Sequence, residues 1–294
     1  MKTSFHRIKT DDDFELCGLL FEPDKKSKIA VAHVHGMAGN FFENKFLDYL
    51  AEIFTKNNIA FAPFNNRGYS FISDSRVGEN DYKRFGSAYE KFEDCLDDIR
   101  AQIDFLEKQG YSQIFLCGHS LGTPKVAYYQ SKTQDKRVKS VIFLSPTDMI
   151  GLVKEDKTFN RDIKEANDLI KSKKEKQLLT NEVWGEYPIS AKTYISLFGN
   201  KSNTAIFNFF EPSKGFKSLS KIKSSILAIM GKKDDVVIVP IEKIMKIIEN
   251  NTKSAICVKT IILGDATHDY KNYEKKLANE IVKWIKSLMQ KNEK

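Results

Sequence analysis

The chain has 294 residues, of which 41% are hydrophobic, so it is long enough to bury a large core in one or two domains. Residues 1–14 lack the apolar segment of a secretory signal peptide, and no run is apolar and long enough to cross a bilayer. The formal net charge of +8 is spread along the chain and interleaved with acidic residues, which argues against a nucleic-acid surface. We therefore expect a cytoplasmic protein that binds neither nucleic acid nor a membrane.

Strand and helix patterns alternate along most of the chain. The amino-terminal half is predicted to hold a hairpin over 5–9 and 14–21, a strand over 29–35, a helix containing Phe46, Leu50 and Phe54, and a strand over 59–64. A helix over 87–109 follows, with Ser87 and Glu90 as a capping box and Gly110 just beyond its end. The remaining predictions are strands over 113–117, 138–144, 225–230 and 256–263, and helices from 121, near 241–248 and around 277–288. This order predicts an α/β protein with a mostly parallel sheet and helices on both faces.

Residues 148–218 interrupt the alternation. They are charged and helical at first, over 153–179, and then rich in aromatic residues. Because ligands bind at the carboxyl ends of the strands in open α/β sheets, we expect this segment to lie over that edge as a cap. The predicted organisation is thus a core formed by 1–147 and 219–294 with a cap at 148–218.

The segment 118–122 reads Gly-His-Ser-Leu-Gly and matches the pattern G-x-S-x-G. An apolar strand precedes it and a helical segment follows it, which is the setting of a nucleophile elbow. Glycines suit this turn because side chains there would collide with neighbouring backbone. Ser120 is therefore the predicted nucleophile.

A serine hydroxyl needs a base to remove its proton, and His268 is the best candidate. It follows the last predicted strand and precedes the final helix, so its loop can place the imidazole over the serine. An acid that orients the imidazole should come between the two in sequence. Asp234 takes the last position of Gly-x-x-Asp after the strand at 225–230, with Asp235 a close rival and Asp148 a weaker third.

Two backbone N–H groups should stabilise the oxyanion of an acyl-transfer reaction. Leu121 directly follows the nucleophile, and Met37 lies in the His-Gly loop after the strand at 29–35, so their amides are the predicted donors.

The sequence gives little support for a metal site. His33 and His35 point to the same side of one strand, but further acidic and histidine ligands are missing nearby. The four cysteines, at 17, 95, 117 and 257, form no C-x-x-C pair. We expect no metal and no cofactor.

Together, the His-Gly loop, Asn66-Arg67-Gly68, the motif at 118–122, Gly-x-x-Asp and the late histidine resemble the α/β-hydrolase superfamily. Within it, the segments 66–70 and 85–94 are loosely similar to siderophore-esterase-like and feruloyl-esterase-like groups. The resemblance implies an α/β-hydrolase fold, and the serine argues against the dehalogenases and epoxide hydrolases of this superfamily, which use an aspartate there.

The expected function is hydrolysis of a small-molecule carboxylic ester through an acyl-enzyme on Ser120. A thioesterase or amidase on the same three residues, or a non-catalytic ligand-binding protein on a hydrolase scaffold, remains an alternative. Remote apolar contacts select substrates through transition-state binding. In the cap, the residues expected to make such contacts are Trp184, Phe209 and Phe210.

Overall fold

A computed structural model describes residues 1–291. Its strands are β1 (Lys2–Lys9), β2 (Glu15–Glu22), β3 (Ile29–Val34), β4 (Ala60–Phe64), β5 (Ser73–Val77), β6 (Asp81–Phe85), β7 (Gln113–His119), β8 (Val138–Leu144), β9 (Ser225–Met230) and β10 (Val258–Ile262). Its helices are α1 (Phe46–Lys56), α2 (Cys95–Lys108), α3 (Gly122–Thr133), α4 (Met149–Lys154), α5 (Phe159–Lys171), α6 (Ala191–Phe198), α7 (Ile241–Asn251) and α8 (Glu274–Lys291). Within residues 1–291, no helix is both long and apolar enough to span a membrane.

Eight of the ten described strands form one sheet in the order β1-β2-β4-β3-β7-β8-β9-β10, and β5 and β6 form a separate two-stranded sheet. The β1–β2 and β2–β4 pairs are antiparallel, whereas β4, β3, β7, β8, β9 and β10 run parallel to one another. Buried residues of α1 and α8 pack on one face, whereas α2, α3 and α7 pack on the other. The predicted α/β class and mostly parallel sheet are confirmed.

Strand β1 forms one edge of the sheet. The cationic side chains of Lys2, Arg7 and Lys9 are exposed on this strand, while Ile8 is buried against the core. The amino-terminal hairpin predicted from sequence is thus present, with its outer strand largely in water.

Two elements differ from the sequence prediction. The helix predicted from residue 87 begins at Cys95, after a short 3-10 turn over Phe92–Asp94. Glu90 does not cap it, because its carboxylate is buried and binds Lys125 on α3. The hairpin of β5 and β6 was not predicted, since its polar residues do not alternate with apolar ones.

Buried charges hold the loop that follows β4. The Arg67 guanidinium lies 2.8 Å from the Asp98 carboxylate, and both side chains are almost fully buried. Lys125 and Glu90 form a second buried pair at 2.5 Å. A Cβ at Gly68 would lie only 2.4 Å from the Glu90 carboxylate, so this position requires glycine. The two pairs fix the loop beside the carboxyl ends of the central strands.

Residues 148–218 contain α4, α5 and α6 between β8 and β9. Asp148 caps α4 by accepting a hydrogen bond from the Gly151 amide, at 2.8 Å. Ser190 caps α6 in the same way through the Thr193 amide. The helical character of the start of this segment is therefore confirmed, and its role as a cap stays a prediction.

Candidate active site

Ser120 lies at a strained turn between a strand and a helix. Strand β7 ends at His119, helix α3 begins at Gly122, and Ser120 between them has a φ of +53°. A non-glycine residue adopts this left-handed conformation only where the surrounding structure imposes it. A Cβ at Gly122 would lie 2.1 Å from the carbonyl oxygen of Val34, which explains the glycine there. These features are those of a nucleophile elbow.

His268 and Asp234 are hydrogen-bonded to each other. The distance from His268 Nδ1 to Asp234 Oδ1 is 2.8 Å, and the aspartate side chain is fully buried. Burial by itself would raise the pKa of this carboxyl group, but the hydrogen bond and the charge of His268 hold it below its usual value. An ionised Asp234 fixes the proton of the imidazole on Nδ1, which leaves Nε2 as the basic atom.

Neither of the other candidate acids occupies this position. Asp235 is exposed at the wall of the cavity beside Ser120. Asp148 accepts hydrogen bonds from the amides of Gly151 and Phe210, at 2.8 and 2.9 Å. Of the three, Asp234 is the one whose carboxylate binds His268.

The His268 backbone is held by two residues with no predicted role. His119 Nε2 donates a hydrogen bond to the carbonyl oxygen of His268 at 3.0 Å, and Ser145 Oγ lies at the same distance. Burial lowers the pKa of His119 to about 3, so its ring is neutral and serves as a donor. Ser145 follows β8 with a φ of +51°. Its place after the carboxyl end of a strand is the sequence signal that could have identified it.

The loop after β3 packs directly against Ser120. A Cβ on Gly36 would lie 2.9 Å from Ser120 Cβ and 3.3 Å from Ser120 Oγ, so only glycine permits this approach. His35 holds the loop: its Nδ1–H donates to the Gly36 carbonyl at 2.8 Å, and its Nε2 accepts from the Asn66 amide at 3.0 Å. Burial lowers the His35 pKa to about 3, consistent with a neutral ring. Leu121 follows Ser120 in sequence, and Met37 lines the same cavity as Ser120. The roles of their amides as oxyanion donors stay predictions.

His33 lies away from this arrangement. Its buried ring makes edge contacts with Phe46, at a centroid distance of 6.0 Å, and tilted contacts with Phe61. Among residues 1–291, no group of three or more His, Cys, Asp or Glu side chains is arranged to hold a metal ion.

A cavity of about 920 Å³ opens beside Ser120. Ser120, His268, Met37 and Trp184 all line it, which brings together predicted residues from four separate parts of the chain. Asp234 lies behind His268 rather than in the wall. The sequence did not single out three further aromatic rings of the wall, Phe42, Phe71 and Tyr187.

The structure places Phe209 and Phe210 outside this cavity, contrary to the sequence expectation. Phe209 is 2% exposed and stacks on Phe207 at a centroid distance of 5.3 Å, as part of the hydrophobic core. Phe210 is partly exposed elsewhere, and its amide binds Asp148. A helical segment must bury part of its apolar surface to be stable, and the Phe209 ring serves that need.

The fold and the elbow define the class: the protein has an α/β-hydrolase fold. More particularly, residues 61–290 match the family described as "Protein of unknown function (DUF1749)", and the chain belongs to that family.

Several proteins are similar to this one. The structure of Est1E from Butyrivibrio proteoclasticus with ferulic acid bound aligns with a TM-score of 0.69 and 17% identity, covering 97% of this chain and 99% of that one. The Pyrococcus furiosus esterase Pf2001 aligns with a TM-score of 0.61 and 16% identity over 97% and 91% of the two chains. A Mycoplasma genitalium protein, whose name places it among esterases and lipases, is 23% identical over 63% of this chain and 70% of its own length.

Proposed function

We propose that this protein is a serine hydrolase that cleaves carboxylic esters of small molecules. The observation that carries the proposal is the strained elbow of Ser120 in the wall of a cavity that also contains His268, itself bonded to the buried Asp234. The esterases among its structural neighbours and the esterase/lipase name of its relative support the same reaction class.

In the proposed reaction, Ser120 Oγ attacks the ester carbonyl carbon while His268 Nε2 accepts the hydroxyl proton. Asp234 stabilises the imidazolium that forms, because its lowered pKa keeps it ionised. The negative charge develops on the carbonyl oxygen, where the amides of Met37 and Leu121 would donate hydrogen bonds. The tetrahedral intermediate then collapses: the bond to the alcohol oxygen breaks, and His268 returns the proton to the leaving alcohol.

A water molecule completes the cycle. It attacks the acyl-enzyme carbonyl while His268 takes its proton, and collapse of the second intermediate returns the proton to Ser120 and releases the acid. His119 and Ser145 act as positioning residues in this scheme, since both hold the carbonyl oxygen of His268.

The segment 148–218 would act as the cap that selects the substrate. Met149, Leu152, Trp184 and Tyr187 of this segment line the cavity opposite the loop that contains Met37. They supply an apolar and aromatic wall that Ser120, His268 and Asp234 do not provide themselves.

The test is reaction with a fluorophosphonate probe, followed by a panel of p-nitrophenyl esters with acyl chains of graded length. We expect the probe to label the native protein and not Ser120→Ala, and turnover of the variant to fall by a factor on the order of 10⁶. A variant with an unchanged thermal midpoint and more than a few per cent of native activity would overturn the proposal. An unlabelled native protein would favour a ligand-binding role instead.

A further inference from the structure

The cavity beside Ser120 has an acidic wall although the protein is basic. Four carboxylates line it, and among residues 1–291 no lysine or arginine does. The chain as a whole has a formal net charge of +8. The four residues are Glu43, Glu186, Asp235 and Asp269.

These carboxylates are not neutralised by neighbouring cations. Glu43 accepts a hydrogen bond from the Asn40 side-chain amide at 3.0 Å, which leaves its charge in place. The His119 ring lies 3.8 Å from Asp269, but it is neutral because burial lowers its pKa to about 3. Throughout the described part of the chain, no lysine or arginine lies within ion-pair distance of any of the four. The wall therefore retains an excess of negative charge.

Three of the carboxylates line the cavity together with one tyrosine and act on its phenol. Burial raises the pKa of Tyr187, and the negative charges of Glu186, Asp269 and Glu43 raise it further. All three carboxylates thus lie close enough to the phenol to act on it. The negative charge of the wall is thus felt at Tyr187.

Aromatic rings occupy the same region. The rings of Trp184 and Phe71 meet Tyr187 edge to face, at centroid distances of 5.9 and 5.6 Å. Trp184 is 37% exposed and Phe71 is 41% exposed, and both line the cavity, so both residues are accessible to a ligand there. Open aromatic faces next to carboxylates bind quaternary ammonium groups through cation–π and charge attraction.

We propose that the preferred substrates are esters that carry an ammonium group. This group would bind to Trp184, Phe71, Tyr187 and the neighbouring carboxylates. This inference rests on the proposed ester hydrolysis at Ser120 and assigns the substrate class of that site. The same negative wall repels the carboxylate released from the acyl-enzyme, which favours its departure. It also disfavours substrates with an anionic group.

The experiment compares two esters of the same shape and different charge. Acetylcholine has a quaternary nitrogen where 3,3-dimethylbutyl acetate has a carbon, so the ratio of their kcat/KM values isolates the effect of the charge. We expect this ratio to be on the order of ten in favour of acetylcholine. It should fall as sodium chloride rises from low to high concentration, because salt screens exposed charges.

Variants locate the source of the preference. The double variant Glu43→Gln/Glu186→Gln should lower the ratio toward one. Glu182→Gln is the matched control, since Glu182 is an exposed carboxylate on the same segment that does not line the cavity. A ratio at or below one in the native protein, or an equal fall in the control variant, would overturn the inference.

A binding measurement separates this inference from the proposed function. Benzyltrimethylammonium is an inert probe, and its binding to Ser120→Ala should quench Trp184 fluorescence and weaken in the Glu43→Gln/Glu186→Gln background. Binding of this probe by a protein that hydrolyses no ester would overturn the proposed function and support the cation site. Hydrolysis of the neutral ester without binding of the probe would overturn the cation site alone.

Discussion

Two adjacent aspartates in the loop after β9 have opposite environments. Asp234 is buried against the His268 imidazole, whereas Asp235 is exposed in the cavity wall. Asp234→Asn removes the charge that fixes the imidazole tautomer, so we expect turnover to fall by a factor on the order of 10⁴. Asp235→Asn removes a charge that makes no hydrogen bond to His268, so it should lower turnover far less. The measurement is kcat for a neutral p-nitrophenyl ester, and a larger loss in Asp235→Asn would reverse the assignment of the acid.

Trp184 and Phe209 offer a second contrast between single side chains. Phe209 is buried on Phe207, so Phe209→Ala should lower the free energy of unfolding by roughly 3–5 kcal/mol and leave the substrate preference intact. Trp184 lines the cavity, so Trp184→Ala should change the ratio of kcat/KM for long and short acyl esters with a smaller loss of stability. Urea denaturation and ester kinetics on both variants test this. An unchanged ratio in Trp184→Ala would remove the cap from substrate selection.

The limits of sequence reasoning are clear at this scale. The strand–helix turn at Ser120 and the contact between His268 and Asp234 were predictable, because a short motif and the order along the chain point to these residues. The contact between His119 and the His268 carbonyl depends on how two loops 149 residues apart meet, and no local pattern encodes it. Likewise, an aromatic-rich segment without a regular period does not reveal which ring faces the cavity, so Trp184 and Phe209 received the same prediction.

At the scale of elements, the chain before α2 is joined to α3 by the buried pair of Glu90 and Lys125. Glu90→Gln would leave the ammonium group of Lys125 buried without its counter-charge, which costs about 3–5 kcal/mol. The double variant Glu90→Leu/Lys125→Met removes both charges and should recover most of that loss. Urea denaturation of the variants measures the difference. Equal losses in the single and double variants would show that packing rather than charge dominates at this position.

This pair also explains why one helix boundary was predicted wrongly. Ser87 and Glu90 have the spacing of a capping box, and the sequence alone indicates a helix start there. Burial of Glu90 against a lysine 35 positions away overrides the local pattern, and the helix begins at Cys95. Strands such as β7 and β9 were predictable because each has a continuous apolar run, 114–117 in β7 and 226–230 in β9, that is followed directly by a glycine.

At the scale of the whole molecule, buried neutral histidines link stability to pH. The pKa values of His35 and His119 are lowered from 6.5 to about 3. Below pH 6.5 these histidines therefore bind protons in the unfolded chain but not in the folded protein. The free energy of unfolding falls as the pH drops from 6.5 towards 3. At pH 5 the loss is roughly 2 kcal/mol for each histidine. The lowered pKa of Asp234 acts in the same direction, below pH 3.8.

The test compares urea midpoints at pH 7.5 and pH 5 for the native protein and His119→Asn. The variant has one titrating ring fewer, so its loss of stability between the two pH values should be smaller by about 2 kcal/mol, whatever its stability at pH 7.5. Because both proteins share every other titrating group, the difference isolates His119. An equal loss in both proteins would contradict the buried neutral state of this ring.

The cationic edge strand β1 has a consequence for solubility. An open strand edge offers unpaired backbone groups to any other chain, which is how sheets from separate molecules fuse into aggregates. If two copies of β1 met in antiparallel fashion, Lys2 would face Lys9 at both ends of the new ladder, and like charges placed opposite each other are destabilising. The charges of the strand thus oppose edge-to-edge association of two molecules. This repulsion weakens where salt screens the charges or where the lysines lose their protons.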